Sequence, residues 1–332
     1  MRAPRACQPA EAPDVVRLLN EVFWREEGQE PELLELFPEH YPPADLADHR
    51  VVVVEGRVIS HVCLIPLVVA VPRGVLNVAV ISGVATHRDW RREGLASACM
   101  VDALQLADGE GYDLSILATG LRGFYERWGF ARVGLRLDYR VTAAVAGQLE
   151  GERWGVEACE GRRLATLRRL YQTQHCRVDR TPEQLARCLT ARRRWAWLAW
   201  DGDRPLAYVV LGSPWGTPRL EHYAGEARAA AALLPHAMRE RGWTELILSL
   251  PPGDALGQLA ADAGAEVSEH RVAMMRVANE PRLLAKLGLP PSAPASPAGG
   301  PVGESRLCEL FGCPGDGAPA LIPFFWWPMD YC

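Results

Sequence analysis

The stretch Arg91-Arg92-Glu93-Gly94-Leu95-Ala96-Ser97 sets two guanidiniums, a glycine and small or apolar residues between a long apolar run and a helical pattern. The first amides of a helix lack intrahelical partners and carry the positive end of its dipole, so such a turn can hold a pyrophosphate. Gly94 lets the backbone approach the anion, and Ala96 and Ser97 are too small to block it. An ordinary helix start with solvated arginines has the same composition. Other groupings offer less chemistry. Glu221-His222 has the make-up of an acid–base pair but reads as surface. Arg192, Arg193 and Arg194 read as a solvated helix end, and Trp195, Trp197 and Trp200 as hairpin packing rather than a nucleic-acid platform.

The elements that must position the turn follow from periodicity. Val75 to about Ala85 reads as a strand, with Gly83 at a bulge or a close approach. Beyond the turn, Ala96, Met100, Ala103, Leu104 and Ala107 share one helical face, and Gly109 and Gly111 end the helix. Upstream, Asp14 to Glu26 is an amphipathic helix with Asp14 as its cap, and "RVVVVEGRVISHVCLIPLVVAV" is a hairpin turning at Glu55-Gly56. Downstream come a short buried strand ("YDLSILAT"), a glycine-edged turn with a short helix ("GLRGFYERWGF") and a closing strand ("LRLDYRVTAAV"). From about Glu152 the same order returns. Thr181 caps a helix there, a hairpin turns around Asp201-Gly202, and "HRVAMMRV" is the last strand. The expected architecture is α/β with mixed sheets, in two tandem units over 1–147 and 148–280. Residues 281–332 form a Pro/Gly-rich connector and the aromatic tail "ALIPFFWWPMDYC", too apolar to stay in water.

Composition narrows the partners. With 48% hydrophobic and 23% charged residues the chain can bury substantial cores. A formal net charge of −5 provides no general attraction to nucleic acid or anionic lipid, so a bound anion needs a local positive feature. The cysteines show no CxxC and no zinc spacing, and Cys308 and Cys313 flank "ELFG" without nearby partners. No metal is expected. The start lacks the apolar core of a signal peptide, and Val62 to Val71 is about half a membrane span. These features read as a soluble, reduced, cytoplasmic protein that binds neither nucleic acid nor membrane.

Two motifs in order then carry a resemblance. Arg91-Arg92-Glu93-Gly94-Leu95-Ala96 fits R/Q-x-x-G-x-G/A, and Phe124-Tyr125-Glu126-Arg127-Trp128-Gly129-Phe130 fits F/L-Y-x-x-x-G-F. Together they resemble the GNAT superfamily of N-acetyltransferases, over roughly residues 5 to 145. The resemblance implies acetyl-CoA as co-substrate and a small-molecule or peptide amine as acceptor. It implies that Val84, Ala85 and Thr86 pair with the pantetheine arm, that Arg91 to Ser97 hold the pyrophosphate, and that Gly120 and Leu121 border the other side. Tyr125 matches the family's acid toward the leaving thiolate, and the Val84 amide would meet the carbonyl oxygen.

The second unit has neither motif and is expected to hold no CoA. An active unit, a degenerate unit and a C-terminal appendage resemble Eis-type acetyltransferases, with only a fragment of their third domain. In that type the chain's terminal carboxylate takes the amine's proton, which here implies Cys332, with Asp330 as substitute, because "VLNVAVISGVAT" contains no acid. Two other readings stay open: a non-catalytic acyl-CoA-binding module, and acetylation of a thiol precursor's amine of the mycothiol-synthase type.

Overall fold

The computed structural model describes residues 3–36, 46–149, 151, 154–159, 163–212, 216–291, 302–313, 320–322, 324, 325 and 327. In the first half, β1 (Arg5–Ala6), α1 (Ala12–Phe23) and α2 (Leu33–Leu36) precede the antiparallel run β2 (His49–Val54), β3 (Arg57–Val71) and β4 (Gly74–Thr86). Then follow α3 (Leu95–Glu110), β5 (Leu114–Leu117), α4 (Arg122–Glu126), β6 (Ala131–Thr142) and α5 (Ala143–Gln148). The second half runs β7 (Gly155–Ala158), α6 (Leu164–Tyr171), β8 (Arg177–Val178), α7 (Pro182–Thr190), β9 (Arg194–Asp201), β10 (Arg204–Gly212) and β11 (Arg219–Gly225). It ends with α8 (Ala227–Arg241), β12 (Glu245–Leu250), α9 (Ala255–Asp262) and β13 (Glu266–Arg276), followed by α10 (Glu280–Lys286) and α11 (Glu304–Phe311).

The repeat expected from element order is present. β2-β3-β4-α3-β5-α4-β6 is mirrored by β9-β10-β11-α8-β12-α9-β13, and each half contains one parallel pair, β4 with β5 and β11 with β12. Local chemistry sets the ends. Glu55 and Gly56 both take left-handed backbone at the first hairpin, and Thr181 forms a capping box with Gln184. Asp14 differs from expectation: it lies inside α1, where it accepts from Arg17 and from the Val58 amide, tying the helix to the hairpin.

The halves are not side by side. The thirteen strands among the described residues make one sheet in the order β1-β2-β3-β4-β5-β13-β6-β12-β11-β10-β9-β7, with β8 on β3. The strand expected to close the first unit, β6, instead pairs antiparallel with β12 and β13 of the second half. β13 returns to fill the place beside β5. A strand at this position can satisfy its ladder from either half, and each half uses the other's last strand. The largest apolar cluster therefore spans both, from Val78, Ile116 and Val133 to Leu211, Leu233 and Leu248.

Three readings of the sequence are corrected. Glu221 and His222 are 1% and 0% exposed, not at the surface, because β11 is a central strand. Arg194 opens β9 as a buried residue with its Nε 3.8 Å from Glu221, while Arg192 and Arg193 remain exposed and pair with Glu32. Cys308 and Cys313, read as thiols without a nearby partner, are joined as a disulfide, which α11 and its following turn allow by holding their Cα atoms 5.1 Å apart. The Trp reading holds for Trp197, which is buried and donates its indole N–H to Glu240.

Candidate active site

β4 and β5 pair in parallel only over Val78–Val80 and Leu114–Ile116, so β4 runs on from Ile81 without β5 beside it. The register between β3 and β4 shifts at the same place: Cys63 faces Ser82 and His61 faces Ala85. Gly83 and Val84 together oppose Val62, a bulge of one extra residue, and Gly83 takes φ +56°. A buried polar chain holds the bulge. The Gly83 carbonyl can only accept, so the His61 Nδ1–H, at 2.7 Å, must donate. Burial pushes the His61 imidazole down to about 4 and keeps it neutral, so its Nε2 accepts from His49 Nδ1–H at 2.9 Å. His49 Nε2 then faces the Cys63 sulfur at 3.2 Å.

A cleft of about 430 Å³ opens between this strand end, the turn and α4. It is lined by Val84, Ala85, Thr86, Arg91, Arg92, Gly94, Leu95, Ala96, Ser97, Leu121 and Tyr125 among the residues singled out by sequence. Glu93 and Gly120 are not among the lining residues. Trp90, Phe124 and Arg127 line it as well and were missed. They flank the two motifs, and nothing in their own spacing marks them.

Gly94 is the residue before α3, at φ +79°, and a Cβ placed on it would meet nothing within 4 Å. Leu95, Ala96 and Ser97 of the first turn of α3 face the same cleft. Arg92 also takes left-handed backbone, at φ +69°, uncommon for a side chain of this size. The two arginines differ in role. Arg91 is committed, with its Nε donating to the Thr86 carbonyl and its outer nitrogen to both Glu26 oxygens at 2.8 and 2.7 Å. Arg92 makes no ion pair among the described residues and is the cation left for an anion at the turn. Arg127 stacks its guanidinium 4.5 Å from the Phe124 ring centre at the cleft wall.

Tyr125 is 7% exposed, wedged edge-on against Phe124 and Phe130. Burial pushes its phenol up to about 12, so it is protonated at neutral pH and carries a proton it can donate. Its hydroxyl has no hydrogen-bond partner among the described residues. The second half helps place it. Arg276 of β13 donates to the Trp128 carbonyl, just past α4, and grips Asp108 near the end of α3 at 2.7 and 2.8 Å.

At the corresponding place in the second half, side chains of the chain itself meet across the strands, beside a cavity of about 770 Å³ lined by Asp254 and Trp327. β11 and β12 pair at Arg219–Leu220 and Ile247–Leu248, and beyond them the Tyr223 hydroxyl donates to Asp254 across the divergence. Trp327 of the tail packs on the His222 and Tyr223 rings, 4.6 and 5.8 Å between centres. α8 begins after Glu226 with an alanine-rich turn and no glycine. The tail thus docks, as its composition requires, on the second half; Asp330 and Cys332 lie outside the described residues.

The acetyltransferase (GNAT) domain family matches residues 3–133. No curated protein matches the chain. Among solved structures, the chain is similar to a GCN5-related N-acetyltransferase from Kribbella flavida (19% identity, TM-score 0.63), covering 83% of this chain and 70% of that one. It is similar to one from Anabaena variabilis (18%, TM-score 0.63, 83% and 72% covered) and to Eis1 from Mycobacterium abscessus (18%, TM-score 0.59, 82% and 73% covered). At these identities the likeness is one of fold. The strand-end cleft and the glycine turn both lie in the first half, within the residues that match the GNAT acetyltransferase domain.

Proposed function

We propose that the protein transfers an acetyl group from acetyl-CoA to a primary amine of a small molecule or peptide by direct attack in a ternary complex. One observation carries this: a buried, protonated tyrosine with no hydrogen-bond partner among the described residues shares one cleft with a helix N-terminus. The amides of Leu95 to Ser97 and Arg92 hold the pyrophosphate. The end of β4 from Val84 to Thr86, unpaired with β5, offers backbone groups to the pantetheine arm. The Val84 amide, released from the regular ladder by the bulge, donates to the carbonyl oxygen as charge develops on it.

Tyr125 acts at the sulfur. An alkyl thiol has a pKa of about 8.5, roughly three units below this phenol, so full proton transfer in water would be uphill by about 4–5 kcal/mol. Its larger contribution is a hydrogen bond to the sulfur as the carbon–sulfur bond breaks. Burial of the sulfur in the same cleft raises its basicity and narrows the gap. The amine's proton goes to a base, for which the resemblance offers the Cys332 α-carboxylate. A cytoplasmic setting, where acetyl-CoA is at hand, belongs to this reading, as does a single CoA site per chain. The test is to incubate the protein with acetyl-CoA and a panel of primary amines while following free thiol. Amine-dependent thiol release with an N-acetylated product is expected. CoA binding without release for any amine would leave a binding module instead.

A further inference from the structure

Beside the cleft, where β5 ends, β13 and β6 continue as a two-stranded seam past the Ala118-Thr119 turn. A cavity of about 200 Å³ lies there, lined by Ala118, Thr119, Arg132 and Arg136 of β6, and His270 and Arg271 of β13. The cations are unevenly compensated. Arg136 is paired with Asp138 at 2.8 Å, His270 lies 3.6 Å from the same carboxylate, and Arg271 reaches Glu304 at 2.9 Å. Arg132 has no carboxylate partner among the described residues. Its charged neighbours are Arg122, Arg136 and Arg271, and with burial they push its guanidinium below the ordinary value. In a chain of net charge −5, Arg132 is thus a local positive charge that no carboxylate among the described residues pairs with.

The cavity and the cleft are lined from one stretch of chain. Thr119 accepts from the Leu121 amide at 2.9 Å, and Leu121 lines the cleft with Tyr125. Two residues of chain span at most about 7 Å, so a small molecule can reach from one to the other. We propose that Arg132 and its neighbours bind an anionic group on the acceptor, making the substrate an amine that carries a carboxylate, such as a free amino acid. A guanidinium without a partner recognises a carboxylate through paired N–H donors, and a neutral or polycationic amine would leave it uncompensated. This rests on the acetyl-transfer reading above. The same surplus of charge could instead meet a phosphate of CoA, so the test separates the two sources.

Thiol release from acetyl-CoA is measured with free amino acids and with their carboxamides, in the wild type and in Arg132→Gln. Calorimetry of the same compounds with the CoA-loaded protein provides a readout independent of turnover. The acids are expected to bind and react at least tenfold better than the amides, and Arg132→Gln to remove about ten- to hundredfold of that preference while leaving affinity for CoA unchanged. Selective binding of the acids that Arg132→Gln abolishes supports the site even if no acetyl group is transferred. Equal binding of acids and amides overturns the proposal. It is also overturned if Arg132→Gln weakens CoA and not 3′-dephospho-CoA, because the arginine then reads the cofactor's phosphate.

Discussion

In the proposed reaction Tyr125 donates to the leaving sulfur, and its surroundings suit a donor. The phenol is buried among Phe124, Trp128 and Phe130, its pKa is pushed up, and its hydroxyl has no partner among the described residues. Tyr125→Phe keeps the ring packing and removes the donor. Turnover should fall by about 10²-fold with CoA affinity nearly unchanged, measured by thiol release and calorimetry; full activity would move the role to water or another group. The base is a separate matter. Tail docking is anchored by Phe324, Phe325 and Trp327, all buried, so adding two or three residues after Cys332 displaces the α-carboxylate while leaving the anchors in place. If that carboxylate is the base, the extended protein should lose turnover and its acid-limb pKa should move; an identical pH–rate profile would assign the proton elsewhere.

The turn before α3 is the element on which binding depends. Arg92 and Gly94 both take left-handed backbone there, and a Cβ on Gly94 would meet nothing within 4 Å. Gly94→Trp fills that space and imposes positive φ on a large side chain, so CoA binding should be lost by calorimetry while the far-ultraviolet spectrum is retained. The wild type should titrate with one CoA per chain. Two would mean that the second half, despite the Tyr223–Asp254 bond and Trp327, opens to admit a ligand. At this scale the strand bulge is as important as the turn. The His61 hydrogen bond fixes the Gly83 carbonyl and so decides which neighbouring amides face the cleft.

At the scale of the molecule, β6 and β13 bind the halves into one cooperative body. Residues 1–147 expressed alone would expose the edge of β5 and leave β6 without both of its neighbours. That fragment should aggregate or show no cooperative melting, whereas the whole chain should melt in one calorimetric transition; two resolved transitions would mean that the halves fold separately. Two buried histidines set the acid limit. Burial lowers His61 to about 4 and His222 to about 3 from a reference of 6.5. The unfolded chain takes up these protons first as pH falls, so this contribution is full above about pH 6.5 and is lost toward pH 4 for His61 and pH 3 for His222, by several kcal/mol in all. Urea midpoints at pH 7 and pH 4.5 should show this, and His222→Phe should flatten the slope. An unchanged slope would mean that carboxylates govern acid unfolding.

Short-range physics made much of this legible in the sequence. Helical and strand periodicity, the Glu55-Gly56 hairpin, the Thr181 cap and the repeated element order depend on residues near one another in the chain. So does the glycine turn, because a helix N-terminus builds its own anion site from consecutive amides. The two motifs placed most of the cleft residues together. What the sequence could not express was which strand pairs with which. β6 and β13 have the same pattern whether each closes its own half or the other's, because a ladder satisfies backbone groups without reading side-chain identity. That exchange put Arg276 against α3 and the Tyr125 helix, while Glu221 and His222 lie in the interior because β11 runs between β10 and β12. It also gathered Arg132, Arg136 and Arg271 from strands more than a hundred residues apart. Local composition determined the turn and the tyrosine; only tertiary pairing decided what surrounds them, because burial and charge neighbourhood are properties of contacts distant in the chain.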